Sequence, residues 1–396
     1  MLIGKHNGGL DRPAGWLLVP GVLCLLIGIS FPTNKLYHQA LALLLWVPGV
    51  VLFWTCRAEI RPMLRTTLGA ALLAFTLWSL LTLFWSSVED PLRQFKHVLY
   101  IVVSLWGMRL LGLLPAHSLE AMLRRCAYFM ALLASVYWIR TYWVEGAPWR
   151  FRVTGSWQLE HSILAAHVFG FFMVVLYHLK PVGRMGVLAW SVALWALAVY
   201  LVFAQSKGVW VALVAVVLLT PIWKRDRVYL VLSMLCLAVV GGVLWCAPEF
   251  ALQRGLSYRP ELLREGFELL FSGNPFVGFG LGSSYRLYLA SAAATFDHPH
   301  NLFLGIALQL GLIGLLLWGV AWLLLGVAAW CQRAEPLGGG LLGVWLFASL
   351  ALLSDGVGPW VKPQEIWFLT WIPFGLALAL GRLTDASHQS LNHAPR

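Results

Sequence analysis

Long apolar runs recur along the whole chain, and they restrict its fold more than any other feature. We identify about twelve runs that approach the roughly 20 residues a helix needs to cross a bilayer core. They lie at about 14–31, 36–55, 66–86, 94–114, 121–144, 161–179, 185–204, 208–223, 229–247, 301–330, 337–354 and 365–381. The chain is 60% hydrophobic and 11% charged, which is more apolar surface than a soluble fold of this length can bury. These runs predict an all-α polytopic membrane protein with about 12 transmembrane helices.

Basic residues are concentrated in the short loops on one side of the predicted bundle. The positive-inside rule then places both termini in the cytoplasm. The net charge of +11 follows from this topology, so we expect no nucleic-acid partner. We predict a single integral membrane domain over 1–396, with a polar cytoplasmic tail at 382–396 and a retained first helix.

Two predicted outer loops are long, at about 145–160 and 248–300, and long loops are often functional. The second loop, between the ninth and tenth transmembrane helices, contains an amphipathic pattern. Its apolar positions are Leu262, Leu263, Phe267, Leu270 and Phe271. We predict a helix that begins near Pro260 and ends at the sequence SGNP. The glycine-rich run 278–282 follows no predicted strand, so we interpret it as a flexible turn.

His300 is the first candidate for chemistry, because it stands in "DHPHN" at the outer entrance of the tenth predicted helix. An imidazole with a pKa near 6.5 suits proton transfer at neutral pH. An interfacial histidine can equally cap a helix or meet lipid headgroups, so residue type alone leaves both roles open. His298, Asn301 and Asp297 are weaker candidates, and Asp297 could orient an imidazole.

Several cations face the same predicted side. Lys207 lies in a tight turn between two apolar runs, where a lysine is costly to bury without an anionic partner. Arg259 precedes a predicted helix start, and a guanidinium beside a helix N-terminus favours a phosphate. Arg264 lies about one turn further. The alternative is a lysine that reaches the surface and arginines that meet water or headgroups.

The remaining candidates are Arg152 and His161, which flank the aromatic loop 145–160, and Asp355, at the outer end of the eleventh predicted helix. The aromatic residues of that loop also fit an interfacial belt. The sequence contains no nucleotide-binding motif, and its six cysteines form no C-x-x-C pair. We therefore expect no metal, no cofactor and no nucleotide.

The motif His300-Asn301, nine residues and then Gly311-Leu-Ile-Gly314 resembles the signature of the O-antigen ligase and polymerase superfamily. In the same order along the chain, "AQSKGVW" resembles its "S-R-G" turn. "SYRPELLREGFELLFSGNPFVGFGLGS" resembles its arginine, amphipathic helix and glycine segment. Lys207 stands where arginine is usual, which keeps the positive charge and loses bidentate geometry.

The resemblance implies a GT-C-like glycosyltransferase in the bacterial inner membrane, with a periplasmic active site. It implies an inverting, metal-independent transfer of O-antigen from undecaprenyl diphosphate to a sugar hydroxyl of lipid A–core. His300 would then be the general base, and Lys207 and Arg259 would hold the diphosphate. Further possible substrate-binding residues are Arg152, His161, Arg264, His298, Asn301 and Asp355.

Three alternatives share some of these features. A repeat-unit polymerase belongs to the same superfamily and differs in its acceptor. A protein O-oligosaccharyltransferase usually carries a larger C-terminal portion than this chain has. A lipid-linked oligosaccharide transporter would place polar groups near the bilayer midplane, whereas here the charged residues crowd the outer ends of the apolar runs.

Overall fold

The computed structural model of the protein describes residues 11–246 and 258–392, and helices dominate both ranges. The first range holds α1 (Asp11–Ile27), α2 (Asn34–Leu41), α3 (Val47–Thr55), α4 (Ile60–Arg65), α5 (Thr67–Leu81), α6 (Pro91–Leu111), α7 (Ala116–Ile139), α8 (Ser162–His178), α9 (Arg184–Ala204), α10 (Lys207–Trp223) and α11 (Arg227–Cys246). The second holds α12 (Arg259–Ser272), β1 (Leu287–Leu289), β2 (Ala294–Phe296), α13 (Leu302–Cys331), α14 (Pro336–Ala351) and α15 (Trp371–Asn392). The first residues of the predicted loop 248–300 lie outside the described residues.

A helix lies at each of the twelve predicted membrane positions. Seven of these segments are long and apolar enough to cross a membrane by length and composition, and three shorter apolar helices are α8, α10 and α14. The remaining two positions are occupied by α6 and α7, which have 21 and 24 residues. The prediction of an all-α polytopic membrane protein is confirmed, with one small exception. β1 and β2 form an antiparallel hairpin of three residues per strand.

Helix α13 is interrupted at Gly311, which adopts φ 70° and ψ −178°. This region of backbone space is accessible essentially to glycine alone. The loop 275–280 fills the break and completes its hydrogen bonding. The bonds run from the N–H groups of Phe279 and Gly280 to the carbonyls of Leu308 and Gln309, and from Leu312 and Ile313 to the carbonyls of Pro275 and Phe276. The glycine-rich run 278–282 therefore forms turns that are held against a membrane helix.

Gly311→Ala is expected to destabilise the protein by roughly 1–3 kcal/mol, because an L-residue is strained in this conformation. A Cβ atom at this position would also collide with the backbone of the loop that fills the break. The thermal unfolding midpoint in detergent would fall. Gly319→Ala in the same helix is the matched control, since nothing lies within 4 Å of its Cβ position. Equal midpoints for the two variants would contradict the assigned break.

Aromatic packing holds the segment between α14 and α15 against the bundle. The ring of Trp360 stacks on Phe75 with centroids 5.4 Å apart, and its indole N–H donates to Ser79 Oγ at 2.8 Å. Trp371 donates to the carbonyl of Pro359 at 2.7 Å. These buried contacts give residues 352–370 a defined path, which matters because Asp355 lies in this segment.

Helix α12 presents three faces, as its 100° turn per residue predicts. The buried face is Leu262, Gly266 and Leu270; the exposed apolar face is Leu263, Phe267 and Phe271; and the polar face is Glu261, Arg264, Glu265 and Glu268. The buried face packs on α13 and on the β1–β2 hairpin, where Leu262 joins Leu287 and Leu289. The predicted amphipathic helix and its start near Pro260 are confirmed.

The opposite end of the bundle carries a partly buried charge cluster. Glu59 lies 2.8 Å from Arg382 and 3.8 Å from Arg109, which also donates to the carbonyl of Leu378. These contacts join α6 to α15. Helix α15 continues to Asn392, so most of the predicted tail 382–396 is helical, and its last four residues lie outside the described part of the chain.

Candidate functional site

The C-terminal end of α14 is the point where the candidate residues meet. A helix end leaves carbonyl groups without partners inside the helix, and three donors from other elements satisfy them here. The backbone N–H of Leu302 bonds the carbonyl of Leu352 at 3.0 Å. The amide of Asn301 donates to Leu353 at 2.9 Å, and the guanidinium Nε of Arg259 donates to the carbonyl of Ser354. The starts of α12 and α13 are thereby joined to one turn.

His300 lies beside this turn and pairs with Asp355. Its Nδ1 is 3.2 Å from Oδ1 of Asp355, and the same carboxylate oxygen accepts the N–H of Gly356 at 2.9 Å. The His300 side chain is 29% exposed and that of Asp355 only 7%. Backbone φ at His300 is +49°, a left-handed conformation in which histidine is enriched among non-glycine residues. The pair therefore has a buried acidic end and a solvent-facing imidazole.

The carboxylate of Asp355 is ionised at neutral pH. Burial by itself would raise its pKa, but the hydrogen bond from His300 and the nearby His167 and Arg259 lower that pKa to about 2. An ionised carboxylate only accepts hydrogen bonds, so Nδ1 of His300 is the donor. The other ring nitrogen, Nε2, then carries the lone pair that can take a proton.

His298 and Phe296 complete the surroundings of His300. The two histidine rings are 4.2 Å apart, and Phe296 meets the His300 ring edge-on at 6.3 Å. Burial and then the charge of His300 lower the pKa of His298, which favours a neutral imidazole there at neutral pH. His298, His300 and Asp355 also offer three ligand atoms within 4.8 Å of one another. By donor type this trio suits zinc, although the His300–Asp355 bond uses two of the three ligand groups.

Lys207 lies one residue before the point at which another helix contacts the same turn. It is the first residue of α10, and the next residue, Gly208, packs directly on the side chain of Ser354. Arg259 is likewise the first residue of its helix, α12. Helix N-termini attract anions through their unpaired N–H groups and dipoles. Two helix starts, each with a cation, therefore contact one residue, Ser354, next to Asp355.

The other predicted residues lie outside the contacts of the His300–Asp355 pair. Arg152 donates to the carbonyl of Gln205 at 2.7 Å and supports the turn before Lys207. His161 is the N-cap of α8, with Nδ1 accepting the N–H of Leu164 at 3.4 Å. Arg264 is 73% exposed and pairs with Glu265 and Glu268 on its own helix. Asn301 caps α13, since its side chain accepts the N–H of Leu304 at 2.9 Å.

Two residues near the site were absent from the sequence-based candidates. Ser354 joins two helix starts, because its carbonyl accepts a bond from Arg259 and its side chain packs on Gly208. No residue type indicates such a role in a sequence. His167 is wholly buried in α8, and within the described residues neither ring nitrogen has a hydrogen-bond partner. It lies close enough to Asp355 to favour the carboxylate's ionised form. A histidine inside an apolar helix was itself a signal, because ionisable groups in membrane segments are rare and often functional.

Comparisons with known proteins agree with the motifs. Residues 192–319 match the family model described as O-Antigen ligase, a stretch that contains Lys207, Arg259 and His300. The chain is 30% identical over 372 residues to the O-antigen ligase of Pseudomonas aeruginosa strain PAO1. That alignment covers 92% of this chain and 90% of the relative. This chain therefore belongs to the O-antigen ligase family of multi-pass membrane proteins, which functions in lipopolysaccharide biosynthesis.

Proposed function

We propose that this protein is a glycosyltransferase that transfers O-antigen polysaccharide from undecaprenyl diphosphate to a sugar hydroxyl of lipid A–core. The observation that carries the proposal is the His300–Asp355 pair beside two cationic helix starts that contact Ser354. A glycosyl transfer from a diphosphate needs a base for the acceptor and positive charge for the leaving group. A candidate base and two candidate cations lie near the C-terminal end of α14.

In this mechanism Nε2 of His300 accepts the proton of the acceptor hydroxyl. The acceptor oxygen attacks the anomeric carbon from the face opposite the diphosphate, which inverts the configuration. The bond from that carbon to the diphosphate oxygen breaks, and undecaprenyl diphosphate leaves with the bonding electrons. Asp355 holds Nδ1–H and stabilises the imidazolium that forms, as a buried carboxylate does in catalytic triads.

Lys207 and Arg259 stabilise the leaving diphosphate. Their charges stand at helix N-termini, whose N–H groups point toward an anion. Arg259 bonds the carbonyl of Ser354, and Gly208, the residue after Lys207, packs on the Ser354 side chain. Negative charge develops on the diphosphate as the anomeric bond breaks, so cations placed there act more strongly in the transition state than in the ground state. We expect no metal, nucleotide or other cofactor in this reaction.

Lys207→Arg is expected to retain more transfer activity than Lys207→Ala, because it keeps a cation at the first position of α10. The alanine variant should lose on the order of 10²-fold, as when one charge-stabilising group is removed from an active site. Initial rates with saturating acceptor would measure this. Lys362→Ala, which removes a lysine in the 352–370 segment, should change the rate little. Equal losses in Lys207→Arg and Lys207→Ala would contradict a role that depends on charge.

We further propose that the site opens on the periplasmic side of the inner membrane, with both termini in the cytoplasm. Basic residues are more frequent in the loops at the end of the bundle that contains Glu59, Arg109 and Arg382 than in the loops at the other end. This bias supports the orientation. The site at the C-terminal end of α14 would then face the compartment that contains completed lipid-linked O-antigen. Cysteine-accessibility labelling at exposed positions 182 and 288 would place the two ends on opposite sides.

The deciding experiment is a reconstitution of purified protein with lipid-linked O-antigen and lipid A–core, in EDTA and without nucleotide. A high-mass lipopolysaccharide ladder that requires His300 would establish a metal-independent ligase. Lengthening of the lipid-linked glycan without a ladder would indicate the repeat-unit polymerase. If neither product forms, the result would favour the transporter. Activity lost in EDTA and restored by zinc would assign the His298, His300 and Asp355 trio to a metal instead.

A further inference from the structure

A cleft of about 630 Å³, lined by both polar and apolar side chains, opens between the start of α12 and the β1–β2 hairpin. The polar face of α12 forms one wall through Glu261, Arg264 and Glu265, and the hairpin forms the other through Tyr288 and Ser291. The Ser291 hydroxyl donates to the Glu261 carboxylate and ties the walls together at the hairpin tip. The volume lies within the range of pockets that hold small organic ligands.

The cleft opens on the polar face of α12. On a helix of 100° per residue, the polar face lies opposite the arc that holds the buried and exposed apolar faces. If the exposed apolar face, with Phe267 and Phe271, rests on the membrane surface, the polar face turns toward water. The charged side chains of its lining suit a water-soluble ligand better than a lipid chain.

The side chains of the cleft suit sugar rings. Tyr288 is 59% exposed, and an aromatic face in this position can stack on the apolar face of a sugar. Glu261 and Glu265 accept hydrogen bonds from hydroxyl groups, and Arg264 donates them. Two carboxylates against one guanidinium leave the lining with one excess negative charge, which disfavours phosphate groups. The ligand chemistry is that of an uncharged oligosaccharide.

Both walls of the cleft belong to elements that also contact the candidate active site. Helix α12 begins with Arg259, which bonds the carbonyl of Ser354, and Pro260 is already part of the lining. Strand β2 ends at Phe296, whose ring contacts His300. A glycan that occupies the cleft thus contacts the helix that begins with Arg259, one of the proposed diphosphate cations, and the hairpin that carries Phe296.

We propose that this cleft is a binding subsite for uncharged sugar rings of a glycan substrate, separate from the diphosphate site. This inference rests on the proposed function, and its test does not need transfer activity. The two possible sources are the core oligosaccharide of the acceptor and the O-antigen of the donor. They share the chemistry that the cleft recognises.

Saturation-transfer NMR on the purified wild-type protein in detergent would test the subsite with two probes. One is a delipidated, dephosphorylated core oligosaccharide, and the other is an O-antigen oligosaccharide released from its carrier. Tyr288→Ala is expected to weaken binding of at least one probe by tenfold or more. Tyr288→Phe, which keeps the ring, should stay within about twofold, and inorganic phosphate should not compete.

Glu265→Gln and Glu268→Gln form a matched pair, because both remove one carboxylate from the polar face and only Glu265 lines the cleft. Weakened binding in Glu265→Gln alone supports the subsite, and the probe affected identifies the source of the glycan. Binding of neither probe to wild type, or wild-type binding by Tyr288→Ala, overturns it. A failed reconstitution with Tyr288-dependent binding would count against the transferase and leave the subsite standing.

Discussion

Replacing His300 with alanine is expected to lower the rate of glycosyl transfer by on the order of 10²–10⁴, the usual contribution of a general base. The imidazole is held by Asp355, with 3.2 Å between Nδ1 and Oδ1. Without this ring, the base that would take the proton of the substrate hydroxyl is missing. Within the described residues, the neighbouring His298 makes no hydrogen bond to Asp355, which holds His300 instead. Initial rates in the reconstituted system measure the effect.

Expression and folding of the His300→Ala variant should be preserved, because the side chain is partly exposed. His117→Ala is the matched control, since His117 is an exposed histidine at the start of α7. Binding of lipid-linked donor should also persist, because Lys207 and Arg259 remain. A fully active His300→Ala enzyme would exclude the general-base role.

Asp355→Asn should produce the second large effect, a loss of at least about 10² in transfer rate. The asparagine keeps the shape of the side chain but can donate to Nδ1, which favours the wrong tautomer of His300 and removes the charge that stabilises the imidazolium. Asp297→Asn removes a carboxylate three residues from His300, and it should leave the rate within about twofold. Comparable losses in both variants would mean that general negative charge, rather than the bond to Nδ1, matters.

The same carboxylate links stability to pH. The pKa of Asp355 in the folded protein, about 2, is below its ordinary value of 3.8. Its ionised form therefore stabilises the fold above about pH 4, and this contribution disappears as the pH falls toward 2. The unfolding midpoint of wild type should drop over that interval. Asp355→Asn should show a smaller drop there, and an identical drop would contradict the assignment.

The membrane architecture could be predicted from the sequence because lipid imposes a local rule. Backbone polar groups in the bilayer core must be satisfied inside the protein, for the most part within each helix, so each spanning segment appears as a long apolar run. The start of α12 near Pro260 was also predictable, since proline and an amphipathic pattern act over a few residues. The break in α13 was not, because Gly311 is one glycine among many until the loop that fills its gap is placed.

The candidate site, too, could be predicted only in part from the sequence. His300, Lys207 and Arg259 could be selected from residue type, position at the ends of apolar runs and motif order. Their grouping around Ser354 could not, because the bonds that join them cross 55 residues between His300 and Asp355 and 95 between Arg259 and Ser354. Arg152 and Arg264 had equally good local patterns, and packing placed them at a supporting turn and in a separate cleft.

The sequence by itself determined the class of protein, the positions of its membrane helices and the residue types available at their ends. These properties follow from hydropathy, capping and charge, which act between neighbours along the chain. Only the tertiary structure decided that Asp355 pairs with His300, that two helix starts meet at Ser354, and that α12 and the β1–β2 hairpin form a cleft. Such contacts depend on how helices distant in sequence pack together. Apolar helix surfaces are compatible with several packing arrangements, and only the close packing of the complete chain selects one of them.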